Sequence, residues 1–405
     1  MKKREQSQSR LRLAAVGLEA ELSLYIDDAP QTPEAVFGSP RAFIRGDLAH
    51  RVGTSYQLPT GAAVYFDTGV IEIATPLIEL ERGCIARAGR SLWESICFVR
   101  GELDAWERRS GRRARLVGFS THYNVSIDPP PRFRGSSFDE AQDIPAGSQG
   151  TARQAFPQRL DAFARLLTYV LPPAVMLLAT NRESTGVGVR PRGDRIEVTA
   201  DFTPDPTMMV AAGSLATGII REMATWPSFE LAALRRRGLP RMRGFAPIPH
   251  TSRKGWLARF DCYPKNPFTS DAQELRSIAA QTFDYFRRPI ARVADPFSLR
   301  LIAAVLSGRA PSYLDLDERP AEYNDVGRPC RWEPFFSDLL HERSRLEQIV
   351  MHALSGDKLR LEGSDYTPTS MQGWSKIVFT RDADGKKRVV PLEDLLEHLP
   401  NWGHE

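Results

Sequence analysis

Cysteine is scarce: four residues in 405, with no CxxC pair and no metal-finger spacing, give no sign of a disulfide framework or a structural zinc site. Cys84, Cys97, Cys262 and Cys330 are expected as reduced thiols, and with them a cytoplasmic protein. Long hydrophobic runs are missing as well. The longest uncharged stretch, Leu166 to Asn181, is too short to span a bilayer and contains Pro172-Pro173. The opening MKKREQSQSRLRLAAVGLEAEL begins with charge as a signal peptide does, but its apolar run is short and interrupted by Glu19 and Glu21. No membrane partner is expected. Neither a Walker A loop nor a dinucleotide fingerprint occurs, and no internal repeat. An excess of one charge is also lacking: 54 Lys and Arg against 50 Asp and Glu leave a net +4, which permits an anionic ligand such as a nucleotide without demanding nucleic acid. The basic run Arg235, Arg236, Arg237, Arg241 and Arg243 has no aromatic interleaving and reads as a solvated face, so no nucleic-acid partner is expected.

What remains is ordinary globular material, 42% hydrophobic and 26% charged, long enough for one large or two ordinary domains. Residues 1–10 are polar and expected to be disordered, 11–355 form the main domain, and 356–405 form a C-terminal hairpin and helix extension.

The most informative stretch is Val117 to Ile127, VGFSTHYNVSI. Strand side chains alternate, so His122, Asn124 and Ser126 share one face while Tyr123, Val125 and Ile127 share the other. A basic segment, Arg108 to Arg115, precedes it as a loop, and Asp128-Pro129-Pro130-Pro131 ends it. This is a buried strand lining a site, or else a strand exposed on one side. Leu11 to Ile26 reads as a second strand, Glu19 and Glu21 on one face and Leu18, Leu22 and Leu24 on the other. A short acidic helix is the alternative, weakened by Gly17 and Ser23. Val64 to Pro76 reads as a third strand carrying Asp67 and Glu72, and Asp194 to Pro206 as a fourth, with Glu197, Thr199 and Asp201 on one face. A carboxylate inserted between Ile71 and Ile73 must be exposed or paired.

Helices are expected over Ile78 to Arg109, Phe156 to Leu178 with a break at Pro172-Pro173, Thr207 to Ala224, Asp271 to Arg292 and Trp332 to Leu354. Residues 129–156 read as a long loop, a lid or a disordered segment. Thr180 to Arg192 reads as a Gly-rich loop carrying Arg182, Arg190 and Arg192. Near the end, Ser375 to Val390 reads as a hairpin turned at Asp384-Gly385, and Leu392 to Leu399 as a short helix.

Glu19, Glu21, Asp67, Glu72, His122 and Glu197 thus lie on strand-like segments otherwise rich in apolar residues. Buried together, these carboxylates would repel one another unless cations neutralised them. Oxygen ligands with one imidazole suit Mg²⁺ or Mn²⁺ rather than Zn²⁺, and a site of such ions suits a polyphosphate, which points to nucleotide chemistry.

The segments THYNVS and RIEVTADFTPDP, with GLEAE and IEIATP, resemble the glutamate-cysteine ligases and related carboxylate-amine ligases of the glutamine synthetase superfamily, over roughly residues 16 to 206. The resemblance implies an α+β fold in which a curved antiparallel sheet, flanked by helices, forms a funnel-shaped site. It implies ATP with two or three Mg²⁺ ions, and it places metal ligands at Glu19, Glu21, Glu72, His122 and Glu197, with Asp67 a looser match. The expected activity is ATP-dependent amide formation through an acyl phosphate, on small-molecule or peptide carboxylate and amine substrates, with a homo-oligomer left open. One departure stands out. The family has an arginine two residues after the carboxylate of the RIEV segment, where this chain has Thr199. A substitute must come from Arg182, Arg190, Arg192 or Arg195, of which Arg182, Arg192 and Arg195 are expected to be catalytic, while Arg190, Asn124 and Ser126 are expected to hold the nucleotide. The alternatives are phosphoryl transfer to a guanidinium or amine acceptor, and a nucleotide-binding pseudo-ligase.

Overall fold

The computed structural model describes residues 14–45, 49–50, 55–127, 146–193, 195–242, 245–250, 254–259, 270–316, 318–327, 343–372 and 376–402. Expectations for residues 1–10, 129–145 and 332–342 lie outside these, as do those for Cys262 and Cys330; of the described remainder, 146–156 is helix rather than loop, within Ala146–Val170, and the helix expected from Trp332 starts at Arg345, capped by Ser344.

Among the described residues twelve strands build the main sheet, in the α+β class expected. In chain order they are β1 (Ala15–Ile26), β2 (Ala29–Gln31), β3 (Ala49–His50), β4 (Tyr56–Gln57), β5 (Ala63–Asp67) and β6 (Val70–Ala74). Then follow β7 (Ile78–Glu79), β8 (Ala114–Ser126), β9 (Gly186–Arg192), β10 (Arg195–Asp201), β11 (Ile248–Pro249) and β12 (Trp256–Arg259). Across the sheet the order is β11-β12-β9-β10-β8-β1-β6-β5-β4-β3, with β2 and β7 also on β1, and the pairings are antiparallel. The three acidic segments and the His122 strand become neighbours: β6, β1, β8 and β10.

One face of this sheet is apolar. Leu18, Ala20, Leu22, Tyr123, Val125, Ile196 and Val198 bury there against the helices Cys84–Ser110, Pro172–Ala179 and Pro206–Ala224, and the helix Ser270–Val293 packs on the last two. Asp205 caps the helix Pro206–Ala224, its carboxylate accepting from the Thr207 (2.7 Å) and Met208 (3.4 Å) amides, with proline in the first turn where its missing N–H costs nothing. The same helix approaches its neighbour closely at Gly218, where a Cβ would come within 2.5 Å of Ile290 Cα. Gly218→Ala should therefore destabilise by about 1–3 kcal/mol, read from the urea midpoint; an unshifted midpoint would mean the two helices separate freely. Among the described residues no single helix is long and apolar enough to cross a membrane; Gln158–Val170 and Pro172–Ala179 qualify by length and composition only as a pair bent by 62°, and Pro172–Ala179 is buried throughout.

Several boundaries differ from the sequence expectation. Val64 to Pro76 is a hairpin rather than one strand, turned at Thr68 (φ 52°) and Gly69 (φ 93°). Left-handed backbone at both turn positions matches the twist of the flanking strands, but threonine does not advertise it. Along one strand Asp67 and Glu72 would face opposite ways; across the hairpin, Tyr65 pairs with Glu72 and Asp67 with Val70, so Asp67, Tyr65 and Glu72 share a face. Thr180 to Arg192 is not all loop, since β9 takes 186–192. Its glycines mask the strand: a Cβ at Gly186 would meet Ala258 O at 2.1 Å, so close pairing with β12 requires glycine there. The helix expected from Ile78 starts at Cys84, because Ile78 and Glu79 pair with Val16 and Ala15, a long-range contact without a local signature. Arg108–Arg115 is mostly not a loop either. The helix runs to Ser110, Gly111 turns the chain at φ 68°, β8 begins at Ala114, and Arg112 is held by Asp27 at 2.8 Å.

The C-terminal residues add a second sheet, β13 (Leu359–Leu361), β14 (Ser364–Gln372), β15 (Lys376–Arg381) and β16 (Lys387–Pro391), in that order. The β15–β16 hairpin turns with Gly385 at φ 68°, as expected. Helix Arg345–Ser355 joins this sheet, with Leu346, Ile349 and Val350 in one core with Ile377, Phe379 and Trp402, and with Ala15 of β1. The closing helix covers only Leu392–Leu395, because the chain must then turn for Trp402 to bury and donate from Nε1 to Asp357 O at 2.9 Å.

Candidate metal centre

Pairing register fixes which side chains meet. Glu21 is opposite Glu72 on β6 and Ser120 on β8; Glu19 is opposite His122, which is opposite Thr199; Asn124 is opposite Glu197, which is opposite Arg190. Directly paired residues point the same way, so these groups form adjacent rows on the face away from the helices. Glu19, Glu21, Glu72, His122, Glu197 and Arg190 are all buried. A bulge keeps β8 in step: Glu21 pairs with Ser120 but Leu22 with Gly118, leaving Phe119 as the extra residue. Without it, either Ser120 and His122 or Leu116 would sit on the wrong face.

Two groups of side chains each offer ligand atoms within 4.8 Å of one another: Glu19, Glu72 and His122, and Glu21, Asp67 and Glu72. Glu72 belongs to both. His122 Nδ1 lies 3.0 Å from Glu19 Oε2, and its Nε2 lies 3.1 Å from Ser120 Oγ and 3.6 Å from Glu21 Oε2. Burial works against charge on His122, yet hydrogen bonds and charges from Glu19 and Glu21 outweigh it and raise the imidazole to about 10. Burial would likewise raise Glu19, but His122, Arg195 and Asn124 bring its carboxyl below the usual range. For Glu72, burial first and then repulsion by Glu19, with a smaller push from Glu21, outweigh a hydrogen bond with Tyr65 and the attraction of His122 and raise it to about 8.

A carboxylate destabilised in this way fits a cation beside it, and the donor set of oxygens with one imidazole fits Mg²⁺ or Mn²⁺. It also fixes a pH dependence. Between the ordinary carboxylate value of 4.5 and about 8, folded Glu72 holds a proton that the unfolded chain has lost, so metal-free stability should fall as pH rises through that window. Glu72→Gln should flatten the slope and raise the melting temperature at pH 8 by a few degrees in EDTA. Scanning calorimetry from pH 5 to 8 measures this, and an unchanged slope would show that Glu72 is ionised without metal.

The remaining expected residues divide. Glu197 shares the face but is paired with Arg190 and with Arg192, whose Nε lies 3.0 Å from Glu197 Oε2. Arg190, expected as a nucleotide contact, also donates to Thr199 Oγ1 at 2.9 Å and lies 3.5 Å from His122 Nε2. Reaching across from β9, its guanidinium occupies the place the Thr199 side chain leaves open. Arg195 donates to Asn124 Oδ1 at 2.8 Å, and Ser126 Oγ accepts from the Ala15 amide at 2.7 Å. Arg182 is elsewhere: its Nε donates to Leu314 O at 2.9 Å, because it precedes β9 and turns toward the segment behind the sheet.

A cavity of about 380 Å³ opens beside the rows, lined among others by Glu21, Ser120, His122, Arg190, Thr199 and Asp201. Asp201 accepts from the Asn181 amide (3.2 Å) and Nδ2 (3.0 Å), and burial raises its carboxyl to about 6. Arg319, which sequence reading missed, closes one side, donating to Gly118 O at 2.7 Å and lying 3.7 Å from Glu183. Ser120 was legible as the residue two before His122; Arg319 lies far along the chain with no local signal.

These features define an acidic, cation-ready site on the open face of an antiparallel sheet. No family model matches the chain, and no curated protein sequence does. Among solved structures, the chain is similar to the ligase PafA in its complex with the prokaryotic ubiquitin-like protein Pup, with TM-score 0.47 and 10% identity, covering 97% of this chain and 94% of that one.

Proposed function

We propose that the protein is an ATP-dependent carboxylate-amine ligase. The observation that supports this best is the juxtaposition of the Glu19, Glu21, Glu72 and His122 cluster with the buried Arg190 guanidinium at Thr199, a metal-ready anion site beside a fixed positive charge. In the proposed reaction a carboxylate oxygen attacks the γ-phosphorus of ATP and ADP leaves. The amine nitrogen then attacks the acyl carbon, expelling phosphate that carries that carboxylate oxygen, and the nitrogen loses a proton. When bound, divalent cations held by Glu19, Glu21, Glu72 and His122, with Asp67 at the rim, supply neutralisation of phosphate charge. Arg190 is positioned against the transferring phosphoryl group, and Glu197 and Thr199 hold its fork in place. Arg192 reinforces Glu197, and the pairing raises Arg192 further although burial opposes it.

The test uses MgATP with pools of ¹⁸O-labelled carboxylic acids and amines. ADP, an amide and ¹⁸O in the released phosphate are expected. ADP with a phosphoramidate and no released phosphate would mean phosphoryl transfer to nitrogen, and tight ATP binding without turnover would mean a binding protein.

A further inference from the structure

Arg190 reaches the site along a bent path. Its guanidinium contacts lie on β10 and β8, with Glu197, with Thr199 Oγ1 at 2.9 Å and with His122 Nε2 at 3.5 Å, yet its stem lies on the opposite flank, against the start of β12. The residue there is Gly255. Trp256 pairs with Val189, so Gly255 stands opposite Arg190, on the side of β9 away from Glu197. A Cβ at position 255 would come within 2.6 Å of Arg190 Cγ, closer than two carbons approach without one of them moving. The arginine stem fills the place of the absent side chain. Position 255 has little freedom to withdraw. Its carbonyl accepts from the His250 amide at 3.0 Å, and the neighbouring Trp256 donates from Nε1 to Asp161 Oδ1 at 3.0 Å, with the Arg165 guanidinium 4.8 Å from the ring centre. With the chain held on both sides of Gly255, it is the Arg190 stem that must yield to a methyl group. The backbone makes a second demand for glycine, because φ is 154° and the same Cβ would lie 2.9 Å from Val189 O.

We infer that Gly255 is a positioning residue: the space it leaves seats the Arg190 stem and so fixes where the guanidinium meets the transferring phosphoryl group. This rests on the proposed ligase reading, in which Arg190 faces that group. Arg190 is buried, so a displaced Cγ cannot be accommodated by a swing through solvent; the shift carries through Cδ, Nε and Cζ to the contacts with Glu197 and Thr199. A misplacement of about 1 Å in a group acting on the reacting centre can cost roughly 100-fold in rate.

The experiment is a double-mutant cycle of Gly255→Ala and Arg190→Ala, followed by urea midpoint and by ADP release with the substrate pool that supports wild-type turnover. Arg190→Ala removes Cγ and everything beyond it but keeps Cβ, so it abolishes the 2.6 Å conflict and leaves the backbone demand on Gly255 intact. Gly255→Ala should lower the midpoint in wild type by roughly twice as much as in Arg190→Ala, since only the former loses the Arg190 contacts as well. It should lower kcat for ADP release roughly 100-fold with the KM for ATP little changed, and lower it no further in Arg190→Ala. Equal midpoint losses in the two backgrounds would overturn the seat, because the backbone alone would then account for the glycine. If Gly255→Ala does not fold, the double variant decides: folding there supports the seat, and failure there overturns it. Coupled midpoints with ADP release absent in wild type, or indifferent to both substitutions, would overturn instead the reading of Arg190 on which the positioning role rests.

Discussion

Arg190→Lys should reduce ADP release by roughly 10³-fold or more while changing nucleotide affinity far less, because a guanidinium aimed at transferring phosphate acts mainly in the transition state. Lysine keeps the charge but not the fork that simultaneously reaches Glu197 and Thr199. Arg190→Ala should do the same to turnover and also destabilise, since a buried carboxylate loses one of its two partners; Arg192 remains to hold Glu197 and limits the damage. Arg182→Ala, by contrast, should leave chemistry intact and affect only stability, as its Nε is engaged with Leu314 O. Steady-state ADP release for the three variants, with the substrate pool that supports wild-type turnover, decides between them. If Arg182→Ala were the inactive one, the assignment of Arg190 would fall.

The second large effect concerns Glu72. Because it belongs to both groups of ligand atoms, Glu72→Ala should weaken metal-dependent nucleotide binding by about 100-fold or more, at least what loss of an outer partner of a metal ligand costs. The same substitution removes a carboxyl whose burial and neighbours disfavour its charge, so the metal-free protein should melt no lower than wild type. A variant that binds weakly and is also less stable in EDTA would show Glu72 to be structural. Titration of Mn²⁺, alone and with nucleotide, distinguishes the two.

The centre of this site is legible in the sequence because it is made of alternation. In β1 and β8, Glu19, Glu21, His122 and Asn124 stand out as polar residues at every second position between buried leucines and valines, and alternation is local. What escapes is long-range or depends on backbone handedness. The Thr68-Gly69 turn reverses the chain inside what reads as one strand, and only that reversal brings Asp67 to the face of Glu72. Strand β9 hides behind glycines whose absent side chains permit close approach to β12, so Arg190 reads as a loop residue although it is fixed opposite Glu197. The bulge at Phe119 preserves the facing of Ser120 and His122 through a register shift that alternation alone does not reveal. Arg319 approaches from a segment after the helix Pro296–Leu306, and nothing near it in the chain announces the carbonyl it binds.

The proposed metal bridge stands or falls on one titration: a non-hydrolysable ATP analogue into wild-type protein by calorimetry, with Mg²⁺ and then in EDTA. Three buried carboxylates on neighbouring strands repel a polyphosphate unless cations intervene, so binding should be measurable with Mg²⁺ and lost in EDTA. Equal affinity in the two conditions would contradict the site.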